Sequence, residues 1–260
     1  MKKMIIKILS YFIFPRMRAK EFRHAFLHFG KGSLKIIGKN NKIILIKDNQ
    51  EIPLRWPLAG LDLVVEGNNN TIKIGHPWHF ENTTIKLTKN NNFFEIKSCP
   101  MGVKNTLFEI SGRGKGSKVR IGKNFGISGS HYSSHSQFCI NGDLTIGDNV
   151  LFAANNIVRT SDSHVIYDIN TNEIKNYEKP IVIGNHVWIC EGCAILKGTV
   201  INDNSVIGTK SVVNKEFNEE NIIIAGVPAK IIKKNINWDV MGINEFLENY
   251  PNTYSSNLKK

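Results

Sequence analysis

Residues 183–213 read IGNHVWICEGCAILKGTVINDNSVIGTKSVV, and Ile183, Ile189, Ile195, Ile201, Ile207 and Val213 fall on every sixth position without a miss. A helix has no use for that interval, since six residues turn it through about 600° and scatter the isoleucines over several faces. One long strand fails too, because Gly184, Gly192, Gly198 and Gly208 would interrupt its ladder. A solenoid of short strands meets both constraints. Each hexapeptide forms one side of a prism and a corner follows it. The aliphatic side chain points inward onto its equivalent in the next coil, about 4.8 Å away. Four residues after each aliphatic position stand Val187, Cys193, Thr199, Ser205, Ser211 and Phe217; all but the last are small or β-branched, as crowded corners require.

Outward from this stretch the same reading continues more loosely. Ile121 and Ile127 are six apart, and Ile140, Ile146, Phe152 and Val158 resume the count. Two polar breaks, 128–139 and 159–180, read as loops pushed out of the coil, where a rigid scaffold often carries function. Further upstream GKNNKIILI, GNNNTIKI and KNNNFFEI recur at irregular intervals. Asn tolerates left-handed backbone, so these clusters predict corners before short strands, and the N-terminal half is expected to be the same solenoid with a degenerate repeat.

The chain has 260 residues, enough for one elongated domain with a substantial core. Three segments are expected: a capping segment at 1–29, a β-helical body at 30–234, and a helical cap and tail at 235–260. MKKMIIKILSYFIFPRMRAK imitates a signal peptide, but Lys7 interrupts the apolar run, Pro15 and Arg16 end it, and no small-x-small site follows. It is also too short to span a bilayer. Either it caps the open end of the solenoid, or residues 1–20 lie on a membrane surface. NINWDVMGINEFLENY reads as a second short helical cap.

Cys99, Cys139, Cys190 and Cys193 are the four cysteines. The C-x-x-C pair has no second pair and no H-x-x-H nearby, and within the hexapeptide frame it alternates with core positions. Packing residues are therefore expected rather than a zinc or redox site, and no metal is expected. Scattered thiols suit a reducing cytoplasm, at the inner face of the cell membrane if residues 1–20 bind it. The net charge is +12. Its lysines are spread along the chain without a recognition motif, which argues against nucleic acid and leaves an acidic polysaccharide, anionic lipid or phosphorylated cofactor as partner classes.

The rungs IGNHVWI, ILKGTVI and VIGTKSVV, followed by AGVPAKIIK, resemble the hexapeptide-repeat acyltransferases. The match is strong over 140–234, weaker over 30–139 and absent at both ends. The resemblance implies an all-β fold, a left-handed parallel β-helix with short helical caps, a homotrimer, and acetyl-CoA as donor. RTSDSHVIYD and the Asn-rich N-terminal half look most like O-acetyltransferases acting on sugars of bacterial surface polysaccharides, a branch that includes enzymes modifying capsule and sialic acid.

An alcohol attacks a thioester well only when a base takes its proton, and a histidine side chain, with an ordinary pKa of about 6.5, suits that task. His164 heads the 159–180 loop, where the resemblance places the family's base. Asp162 either orients the imidazole through a hydrogen bond or serves as a turn residue. Trp188 occupies the V-W-I position where the resemblance sets an indole beside the acceptor, the alternative being packing between subunits. His131 and His135, in GSHYSSHSQ, either contact the acceptor or are ordinary surface residues. Ser128 lies near a polar acceptor position of relatives. For coenzyme A, Gly208, Thr209 and Ala225 are small enough to admit a pantetheine arm. Thr209, Asn214 and Lys215 match groove positions, and Lys230 and Lys233 match positions that are basic in relatives. As lysines, they would hold phosphate as point charges rather than bidentate forks. Cys190 and Glu191 stand where relatives often have Gly and Ser, so the wall beside the thioester is altered.

Three functions compete: O-acetylation of a surface sugar, N-acetylation of an amino sugar, and a binding module without catalysis. Amino-sugar enzymes of this kind usually carry a nucleotide-binding α/β domain ahead of the helix, and no such pattern is present here. His164, Trp188 and AGVPAK occurring together favour an enzyme over a binding module.

Overall fold

The computed structural model describes residues 32–112, 115–129 and 135–250. The N-terminal capping or membrane segment, the tail and His131 lie outside the described residues. Ile183 pairs in parallel with Ile201, Ile189 with Ile207 and Ile195 with Val213. Partners 18 residues apart mean that three hexapeptides complete one coil, so the described residues form a three-sided parallel β-helix. The first face holds Gly126–Ile127, Leu151–Phe152, Trp188–Ile189, Val206–Ile207 and Ile222–Gly226. The second holds Ser136–Ile140, Ile157–Arg159, Ala194–Leu196 and Val212–Val213, and the third Leu144–Ile146, Ile181–Ile183, Val200–Ile201 and Glu216–Phe217. Trp78–Thr88 and Cys99–Ile110 are long enough to turn from the first face onto the second.

Burial follows the six-residue rule. Every aliphatic residue of the 183–213 series is at most 1% exposed, and the corner residues Val187, Cys193, Thr199, Ser205 and Ser211 are equally covered. Upstream the spacing lengthens where loops leave the coil: Ile121 pairs with Ile146, 25 residues on, and Ile146 with Ile183, 37 residues on. Phe94, Phe108, Phe138 and Phe152 fill the interior there as a chain of rings 4.5–5.4 Å apart. Asn corners are present as expected: Asn40, Asn69 and Asn91 take φ of 58°, 58° and 63° on one edge. Asn41, Asn70 and Asn92 beside them tie successive coils through their amides. Ile195 lies between Val158 and Val213 with no exposed surface. Ile195→Ala is expected to cost about 2–5 kcal/mol, read as a lower urea midpoint at unchanged slope.

Two boundaries differ from expectation. The first break is shorter than 128–139, because Ser136–Ile140 is a strand. There Phe138 and Ile140 alternate with Gln137 and Cys139, a period of two that the hexapeptide count does not register. At the C-terminus, Ala229–Lys234 folds back antiparallel on Ile222–Gly226. The expected helical cap is limited to a seven-residue helix, α1 (Ile243–Asn249), which buries none of its residues. Residues 235–242 are not helical; Ile236 and Asn221 exchange two hydrogen bonds there, and the chain passes back along the first face.

Candidate active site

The second break leaves the second face after Arg159 and returns to the third at Ile181. Its root is fixed by Thr160, buried, whose hydroxyl accepts hydrogen bonds from the Asn141 and Gly142 amides, each 2.9 Å. Beyond it a small hairpin forms, with Tyr167 bridging Ile174. The Asp168 carboxylate accepts from the Asn170 and Thr171 amides at its tip, which holds that carboxyl below its usual range. His164 sits where the hairpin begins, directly after Ser163, whose φ is 66°. Its amide donates to the Asp162 carbonyl and its own carbonyl accepts from Asn176 Nδ2, both 2.8 Å. The imidazole is exposed and, among the described residues, makes no hydrogen bond, so a ring nitrogen is open to a substrate hydroxyl.

Asp162 does not orient that ring. Its carboxylate is taken by the Lys197 ammonium and by Asn176 Nδ2, whose hydrogen bonds hold it below the ordinary carboxylate range. The reason is reach: Lys197 follows Ala194–Leu196 in the next coil and arrives at the neck of the loop from below.

The expected donor residues divide between two edges. Glu191, Gly208, Thr209 and Ala225 share the edge between the first and second faces. There Gly208 N donates to Ile224 O at 2.8 Å and Lys210 N to Glu191 O at 2.9 Å. A Cβ on Gly208 would stand 2.9 Å from that of Ala225, so glycine keeps this part of the edge open. The Glu191 carboxylate accepts from Asn155 Nδ2 at 2.9 Å. Burial, then the neighbouring Cys193, pushes the Cys190 thiol up, although Thr209 hydrogen-bonds to it. Lys230 lies opposite Ala225 and Lys233 opposite Ile223 in the terminal hairpin, both exposed. Asn214 and Lys215 lie instead beyond Val212–Val213, on the edge shared with the His164 loop, with the Lys215 ammonium 5.2 Å from the Phe217 ring centre. Ser128 is exposed on the Glu191 edge, two coils away. His135 shares that edge, with Nε2 3.2 Å from Asn82 Nδ2.

Trp188 projects outward from the first face between Leu151 and Val206. It is 36% exposed, and its indole N–H has no partner among the described residues. Sequence reasoning missed two of its neighbours. His186, with φ of 53°, takes a corner otherwise held by Asn124, Asn149 and Asn204. Trp238, placed in the cap by its sequence, stacks on His186 at 4.5 Å and 12° and donates Nε1–H to its carbonyl at 2.8 Å. Trp238 also stands 5.9 Å from Trp188. A cleft of about 420 Å³ opens above them, walled by Trp238, His186, Leu151, Met101 and Asn149. The lone tryptophan in NINWDV was the signal available, but nothing local joins it to a residue 52 positions earlier.

No family model of known proteins matches the chain. A galactoside O-acetyltransferase of Escherichia coli K12 is 38% identical over 120 residues, 46% of this chain and 55% of that protein, so the match spans about half the relative's length. A polysialic acid O-acetyltransferase of Neisseria meningitidis is 33% identical over 178 residues, 68% of this chain and 78% of its own length. The chain belongs to the hexapeptide-repeat O-acetyltransferases. The solved polysialic-acid-specific acetyltransferase NeuO superposes with a TM-score of 0.70 at 27% identity, covering 85% of this chain and 94% of NeuO. With that family comes the left-handed winding of the helix that the resemblance implies. As a hexapeptide-repeat O-acetyltransferase, the chain carries an exposed imidazole on one edge, the small residues Gly208, Thr209 and Ala225 on another and an indole on the face beyond. Among the described residues no three His, Cys, Asp or Glu side chains gather as a metal site.

Proposed function

We propose that this protein transfers the acetyl group of acetyl-CoA to a hydroxyl of a sugar in a bacterial surface polysaccharide, with His164 as general base. The observation that carries the reading is the His164 imidazole, exposed and, among the described residues, unbonded, on a loop held at the main chain of His164 and Ile166 and at the carboxylate of Asp162. His164 takes the hydroxyl proton as the oxygen attacks the thioester carbonyl. The tetrahedral intermediate collapses, the carbon–sulfur bond breaks, and the departing thiolate recovers the proton from the imidazolium. Gly208, Thr209 and Ala225 would face the pantetheine, Lys230 and Lys233 the phosphates, and the free indole N–H of Trp188 the acceptor. Transfer is direct in this reading: burial pushes up the thiols of both Cys190, beside Thr209, and Cys193, 3.2 Å from Gly208 O, which disfavours the nucleophilic thiolate.

A homotrimer completes this site. One chain places His164 and the groove residues on different edges of a prism, so a base from one subunit serves the groove of the next. Peripheral membrane contact through residues 1–20 and a cytoplasmic location accompany the proposal, since acetyl-CoA is a cytoplasmic donor. Among the described residues no helix is long and apolar enough to cross a membrane.

The test is coenzyme A release from acetyl-CoA with sialic acid, polysialic acid, neutral glycans and amino sugars as acceptors. Release with hydroxyl acceptors supports the reading. Release with amines alone would make it an N-acetyltransferase, and no release with any acceptor would leave a binding module.

Charge points to the acidic member of that set. The polysialic acid enzymes among the relatives and a net charge of +12 favour an anionic polymer, whose encounter the lysines would speed. Screening shortens from about 10 Å at 0.1 M salt to about 3 Å at 1 M. The apparent affinity for a long acidic glycan should therefore fall steeply with salt, while that for a neutral counterpart stays level. A flat response at saturating donor would remove the acidic acceptor. Deleting residues 1–20 separates the rival use of the charge: vesicle binding, and not acceptor affinity, would be lost.

A further inference from the structure

We infer that Asn176 and Lys197 are positioning residues for His164, acting through the main chain of its loop rather than through the imidazole; the inference rests on the reading of His164 as the base. None of residues 162–180 is buried, so packing within the chain does not hold the hairpin in place. Hydrogen bonds do. The Asn176 side chain accepts from Ile166 N at 2.7 Å and donates to His164 O at 2.8 Å and to Asp162 Oδ2 at 2.9 Å. One amide thus grips the residue before Ser163, His164 itself and the second residue after it. Asn176 is held in turn, because its carbonyl accepts from Lys197 Nζ at 3.0 Å while the same ammonium pairs with Asp162. Lys197 is the anchored end. It follows Ile195, which has no exposed surface, and its own side chain is 19% exposed against 42% for Asp162. The base is therefore fixed to the β-helix by a chain running from the coil through Lys197 to Asn176 and on to His164. A misplacement of about 1 Å costs about 10²-fold in a reaction that needs aligned atoms, and that sets the scale of the effect.

The experiment compares Asn176→Ala, Lys197→Met and Lys197→Arg with the parent in the full-length protein. The first two should lower kcat by about 10–100-fold while KM for acetyl-CoA stays within about twofold. Arginine at 197 should recover most of the loss, since its fork reaches the Asp162 carboxylate. In a His164→Ala background, Asn176→Ala should have no further effect, because it acts only through the missing imidazole. A kcat within about threefold of the parent, a loss confined to donor KM, or an equal further loss in the His164→Ala background would each overturn the inference. Amide exchange reads the clamp without activity: the Ile166 amide should exchange about tenfold faster or more in Asn176→Ala, and unchanged exchange would also overturn it. A parent that acetylates no sugar would remove the acetyltransferase reading, leaving exchange to decide the clamp. If Asn176→Ala fails to fold, Lys197→Met carries the same comparison.

Discussion

His164→Ala is expected to lower acetyl transfer by about 10²–10⁴-fold while assembly, thermal midpoint and donor binding stay near those of the parent. The imidazole is exposed and, among the described residues, bonds to nothing, so its removal opens no cavity and orphans no partner. The contacts that hold the loop use the His164 main chain, which alanine keeps. Loss of rate without loss of fold is therefore the signature of the base. It is measured as coenzyme A release at saturating donor and acceptor, beside a melting curve and donor titration. Activity within about tenfold of the parent would take His164 out of the mechanism, since a lost general base costs at least about 10².

Two weak parents should make an active mixture. Subunits carrying His164→Ala lack the base; subunits carrying Lys230→Ala and Lys233→Ala lack the cations assigned to the donor phosphates. Lys230 lies opposite Ala225 at the edge between the first and second faces, whereas His164 leaves the edge between the second and third. In a closed ring each site would take its base from one subunit and its groove from the next. Equal mixing then rebuilds about a quarter of the sites with both parts intact. The mixture, refolded together and purified as verified mixed trimers, should exceed both parents at low acetyl-CoA, where phosphate contacts limit the rate. Verified mixed trimers no more active than the parents would mean that each site lies within one chain.

The corners and the buried series from Ile183 to Val213 were legible because each depends on a local rule, whereas His164 was singled out only through the family resemblance. A residue six positions on stands in the same environment of a three-sided coil, and Asn supplies left-handed corners wherever it falls. Where the local rule was a different one, as in the period-two strand Ser136–Ile140, the sequence reading placed the loop too widely. Of the two readings left open for Asp162, orienting the imidazole or serving in a turn, neither named the partners its carboxylate has. Nothing within ten positions of it announces Lys197, 35 residues away, or the Asn176 amide between them. Likewise Trp238 reaches His186 across 52 residues, and Asn214 and Lys215 fall on a different edge from Thr209 after only one short strand. Periodicity determines what each residue faces within its own rung. Which rungs and edges become neighbours depends on how many residues each coil spends, 18 in one place and 25 or 37 in others, and only the folded chain decides that.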